Sequence, residues 1–141
     1  MEPLSAESLR AGALVLVDTA PIIYTLESHR TLAARFEPLF RRHEAGALVL
    51  AVTTVTIAEV LTGPLKNGEE ALARRYRSTL ETWQVVDFTT DIAESAARLR
   101  GQYALKLPDA VQLASALAIN ADALVTHDRD FSRVTGIRVL A

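Results

Sequence analysis

This sequence contains no cysteine. Disulfides, thiolate-bound metals and cysteine nucleophiles are therefore excluded. Its three histidines, His29, His43 and His127, are scattered and lack the short spacing of a zinc site. No apolar run approaches the roughly 20 residues that span a bilayer. The first twelve residues carry Glu2, Glu7 and Arg10. They lack the basic start and apolar middle of a signal peptide, so a cytoplasmic protein with no membrane partner is expected. There is no internal repeat, no low-complexity stretch and no linker that would divide the chain.

What is present suits one folded domain. The chain has 141 residues, half of them hydrophobic, which is enough for a sizeable core. The formal charge of −2 argues weakly against a nucleic-acid partner. Four of the seventeen acids stand apart, however, and setting them aside leaves thirteen against fifteen bases. Thirteen of those bases are arginine, the residue suited to bidentate phosphate contacts. Basic clusters occur at Arg41-Arg42-His43, Arg74-Arg75-Tyr76-Arg77 and Arg98-Leu99-Arg100. Each also reads as an ordinary solvated helix face.

Short apolar runs alternate with helical patterns. Strands are expected at Ala13–Val17, Leu48–Val52, Gln84–Phe88, Asp122–Thr126 and Gly136–Leu140. Between them, helices are expected from Pro21 to about Glu27 and over Thr31–Glu44. Further helices are expected from Thr53-Thr54 to about Leu61, closed by Gly63-Pro64, and over Glu69–Trp83 and Thr90–Ala104. A last helix starts at Pro108-Asp109 and runs to about Asn120, and a helical turn covers Asp128–Val134. This order predicts an α/β fold: a central, mostly parallel sheet of about five strands with helices on both faces. Residues 1–12 form an extension ahead of a domain over 13–141.

The four acids that stand apart are Asp18, Glu59, Asp109 and Asp128. Asp18 ends the run Ala13–Val17, and Asp128 closes Ala123-Leu124-Val125-Thr126-His127. Glu59 interrupts Ile57-Ala58-Glu59-Val60-Leu61, and Asp109 opens an alanine-rich helix. A carboxylate beside a core is costly unless paired or bound to a metal. In open parallel sheets, ligands bind beyond the carboxyl ends of the strands, where Asp18 and Asp128 fall. Converging, the four would form an oxygen site for a hard cation. Each has a plainer role too. Asp18 and Asp128 suit helix caps, Asp109 complements a helix dipole, and Glu59 could face solvent between apolar flanks.

The pieces Val17-Asp18-Thr19, Thr56-Ile57-Ala58-Glu59-Val60, Leu107-Pro108-Asp109-Ala110 and Leu124 to Phe131 occur in one order across nearly the whole chain. Together they resemble the PIN domain family, and within it the VapC-like toxin ribonucleases of type II toxin–antitoxin systems. The resemblance implies a Mg²⁺- or Mn²⁺-dependent endoribonuclease. It implies Asp18, Glu59, Asp109 and Asp128 as catalytic and metal-binding residues, with Thr19, Thr126 and Asp130 in support. It also implies an RNA substrate, a cognate antitoxin and a homodimer. Two rivals fit less well. A haloacid-dehalogenase-like phosphatase needs a second Asp at position 20, which is Ala20, and a receiver domain needs a Lys after its last strand. A PIN nuclease of RNA processing, or a PIN-like module without catalysis, is the alternative within the resemblance.

Overall fold

A computed structural model of the chain describes residues 1–141. Five strands form one parallel sheet: β1 (Ala13–Val17), β2 (Leu48–Thr53), β3 (Gln84–Val86), β4 (Ala123–Val125) and β5 (Arg138–Leu140), in the order β3-β2-β1-β4-β5. The expected α/β architecture is present, with every neighbouring pair parallel. β1 is central. It pairs with β2 from Ala13 opposite Leu48, and with β4 from Val15 opposite Ala123. The order of connection reverses there, so a crevice opens at its carboxyl end.

Six helices cover the sheet: α1 (Thr19–Leu26), α2 (Leu32–Glu44), α3 (Thr54–Lys66), α4 (Glu70–Glu81), α5 (Thr90–Tyr103) and α6 (Leu107–Ala118). Side chains alternate across the strands, and each face has its own core. Val15, Val17, Leu50, Val52 and Val125 pack with Ile22 of α1, Phe36 and Leu39 of α2, Val60 of α3 and Leu80 of α4. Leu16, Ala51, Leu124 and Val139 pack on the other side with Ile92 and Ala96 of α5 and Ala110, Leu113 and Ala114 of α6. Burial on both faces explains why β1, β2 and β4 read as continuous apolar runs.

The turn into β2 shows how sequence sets direction. Gly46 follows α2 with φ +77°, a left-handed conformation that favours glycine. Its N–H donates to the His43 carbonyl, and the Ala47 N–H donates to the Arg42 carbonyl, both at 2.9 Å. This double bond pattern closes a helix and redirects the chain.

Several boundaries change: α1 begins at Thr19, ahead of Pro21, while β4 narrows to Ala123–Val125 and β5 begins at Arg138. α3 does not stop at Gly63-Pro64 but continues to Lys66, with Pro64 inside it. Proline clashes with the Cβ of the residue before it, and Gly63 has none. β3 is also shorter than expected, ending at Val86. The first twelve residues are held against the sheet. The Glu2 and Leu4 N–H groups donate to the Val139 and Ala141 carbonyls, and the Ala141 N–H returns a bond to Glu2. Ala6 and Leu9 are buried, and Arg42 holds both of their carbonyls.

Candidate active site

Asp18, Glu59, Asp109 and Asp128 line one cavity of about 400 Å³ at the carboxyl end of the sheet, together with Thr19 and Arg129. Asp18 arrives there because β1 ends at Val17, and Asp128 because β4 ends at Val125. α3 carries Glu59 to the rim, and the first turn of α6 carries Asp109. The plainer roles hold at the same time. Asp18 caps α1 by accepting from the Thr19 N–H, and Asp128 caps a 3-10 helix over Arg129–Arg133 by accepting from the Asp130 N–H. Glu59 is solvent-exposed, while Asp18 and Asp109 keep only 9% of their surface.

Asp18 is fixed at both oxygens. Oδ1 accepts from the Thr19 N–H at 2.8 Å and from Gln112 Nε2 at 2.9 Å, and Oδ2 accepts from the Thr126 hydroxyl at 2.8 Å. Thr126 also accepts from the Asp128 N–H at 3.0 Å, linking the two acids. The Thr19 hydroxyl lies 2.9 Å from that of Thr56 and donates to Glu59 Oε1 at 3.3 Å. Thr19 and Thr126 thus sit beside the acids.

A second group comprises Asp109, Asp128 and Asp130, each with a carboxylate oxygen within 4.8 Å of the others'. Asp109 Oδ2 is buried without a hydrogen-bond partner. Burial, and next the negative charges of Asp128, Asp18 and Asp130, push the Asp109 carboxyl up to about 7. Lys106 pulls the other way, and the α6 dipole also favours the anion, but burial and like charge prevail. Glu59, although exposed, is raised too, by partial desolvation at the cavity wall and then by Asp18, against the bond from Thr19.

The donor set is all oxygen and strongly anionic, as hard divalent cations require. The unpartnered Asp109 oxygen is a ligand atom with no protein group to satisfy it. The residues present therefore fit Mg²⁺ or Mn²⁺.

The polar bed beneath Asp18 was not foreseen from the sequence. Gln112, 1% exposed, accepts from the Thr53 hydroxyl at 2.8 Å and donates to Thr56 at 2.6 Å as well as to Asp18. Its only sequence signal is a lone amide within the small and apolar stretch Ala110–Ala116. Tyr24 and His127 also line the cavity, and neither stands out in the sequence.

The PIN domain profile matches residues 15–137. A search of curated proteins returns no match. Among solved structures, the chain is similar to a toxin–antitoxin complex from Klebsiella pneumoniae. The two share 31% identity at a TM-score of 0.69, over 87% of this chain and 94% of that one. VapBC2 from Rickettsia felis, bound to a DNA fragment from its promoter, aligns at 20% identity and TM-score 0.68, over 89% and 96% of the two chains. VapC20 of Mycobacterium tuberculosis, a sarcin–ricin-loop-cleaving toxin, aligns at 18% and 0.65, over 84% and 92%. These last two likenesses speak for the fold alone. With the profile match covering most of its length, the chain belongs to the PIN domain family.

Proposed function

We propose that the protein is a divalent-metal-dependent endoribonuclease that serves as the toxin of a type II toxin–antitoxin pair. The observation that carries the nuclease reading is the buried, unpartnered oxygen of Asp109 in a cavity lined by three further acids. Such a site is costly as it stands and becomes favourable around a cation. The toxin role is supported by the likeness to the Klebsiella toxin–antitoxin complex, which extends over nearly all of that chain.

In this reading Asp18, Glu59, Asp109 and Asp128 hold the cation, and Asp130 supports them from the second group. Bound Mg²⁺ or Mn²⁺ supplies an activated water and neutralises charge on the phosphoryl oxygens. Thr126 and Gln112 keep Asp18 aimed at the cavity, since both of its oxygens are already oriented. Thr19 does the same for Glu59. Arg129, on the cavity wall, offers a bidentate contact to a backbone phosphate. An antitoxin and a second copy of the chain are the proposed protein partners.

The test is cleavage of RNA by purified protein with and without Mn²⁺. Asp18→Asn is expected to keep the circular dichroism spectrum and abolish cleavage. An Asn variant as active as wild type would remove Asp18 from the site. Wild-type cleavage that persists in excess chelator would overturn the metal-dependent reading.

A further inference from the structure

The acids account for a phosphate and its cation but leave the apolar lining of the same cavity without a role. That lining includes Ile23, Tyr24 and His127. Tyr24 stands on α1, six residues after the Asp18 cap, and His127 lies between Thr126 and Asp128. Both are half-buried. The Tyr24 hydroxyl and His127 Nδ1 are 3.1 Å apart, and the rings meet edge to face with centroids 5.5 Å apart at 81°. Both rest on Phe36, which is fully buried. Tyr24 stacks on it at 6.2 Å, and His127 meets it edge-on at 6.0 Å. The exposed His29 approaches Tyr24 edge-on, with ring centroids 5.3 Å apart.

From this arrangement we propose that Tyr24 and His127 form a nucleobase subsite beside the acids, binding the base next to the phosphate to be cut. The inference rests on the ribonuclease reading above. A nucleotide is part ionic and part flat and apolar, and the cavity has both characters on adjoining walls. Single-stranded RNA is commonly gripped by stacking unpaired bases on aromatic side chains. Rings held on a buried aromatic floor lose little freedom when a base arrives, so the contact is preorganised. The bond to Tyr24 occupies His127 Nδ1 and leaves Nε2 as the polar atom available to a base edge. Tyr24 and His127 thereby act on substrate placement, separately from the acids that hold the cation.

The experiment uses a synthetic single-stranded RNA that the wild type cuts, remade with one abasic nucleotide at each position around the cleavage point. Wild type is expected to lose about tenfold in kcat/KM, mostly through KM, at one position flanking the cut. Tyr24→Leu, which keeps an apolar side chain over Phe36, is expected to lose a similar factor on intact RNA. It should then lose nothing further when that same base is missing. Its Mn²⁺ affinity by calorimetry should match wild type, which a general disturbance of the site would not allow. His127→Ala is run through the same cycle and decides the matter if Tyr24→Leu fails to fold. Penalties that multiply in both variants, or intact-RNA kinetics equal to wild type, overturn the subsite. A wild type that cuts RNA but is indifferent to every abasic position overturns the subsite alone. A wild type that cuts no RNA overturns the nuclease reading and the subsite with it.

Discussion

Asp18 and Asp109 line the same cavity and are treated oppositely by their surroundings. Asp18 accepts three hydrogen bonds, whereas Asp109 keeps a buried oxygen without a partner and its carboxyl is pushed up to about 7. A carboxyl raised on folding retains a proton that the unfolded chain has released. Between about pH 4 and pH 7, folding therefore takes up a proton, and stability falls as pH rises. The full effect, on the order of 2–4 kcal/mol, is reached above pH 7, and the raised Glu59 acts in the same direction. Metal-free protein is thus expected to unfold at higher denaturant near pH 5 than near pH 7.5, with Asp109→Asn flattening the difference. A cation displaces that proton, so Mn²⁺ affinity by calorimetry should weaken as pH falls; equal affinity at both pH values contradicts this account. The four acids were legible because each interrupts or ends an apolar run. Whether they converged was not, since a helix cap and a cavity-lining residue occupy the same place at a strand's carboxyl end. Asp18 and Asp128 turn out to do both.

At the scale of elements, Gln112 ties three together. It reaches from α6 to Thr53 at the end of β2, Thr56 in the first turn of α3 and Asp18 after β1. Gln112→Leu removes one hydrogen bond from each while every oxygen keeps another partner, at a cost of roughly 1–3 kcal/mol for the three bonds together. Outer groups that orient ligands usually matter 10–100-fold to metal affinity, and a loss of about that size is expected here. Calorimetry with Mn²⁺ and a urea melt on the same variant separate the two effects. Metal affinity equal to wild type would make Gln112 a purely structural residue. The elements themselves were largely readable, because strands buried on both faces are short apolar blocks and amphipathic helices repeat every three to four residues. The failure at Gly63-Pro64 has a local cause: Gly63 has no Cβ, which relieves one of the clashes by which proline disfavours a helix, and Pro64 stands only two residues from the end of α3. Gln112 was hidden for a different reason. Its partners lie 56 to 94 positions away in the chain, Thr56 being the nearest and Asp18 the farthest.

At the scale of the whole molecule, the order β3-β2-β1-β4-β5 places the strand that ends in Asp18 at the centre and opens the cavity beside it. β5 would be a bare edge, but Glu2 and Leu4 lie along it, and Arg138 pairs with Glu2. Leu9 fills the core beneath. Removing residues 1–9 is expected to lower stability by roughly 2–4 kcal/mol through lost apolar burial. It should also promote association through the uncovered edge. Urea unfolding and light scattering measure both, and an unchanged unfolding midpoint would show that the segment contributes nothing.

The bond from Ala141 back to Glu2 also bears on how the molecule is made. On the ribosome Glu2 and Leu4 emerge well before Val139 and Ala141 and must wait for them before they can dock. The central strand waits as well, since β4 follows it by more than a hundred residues in the register Val15 opposite Ala123. Closure of the sheet is thereby delayed until β4 and β5 have emerged, and Asp18 meets Asp128 only at that point.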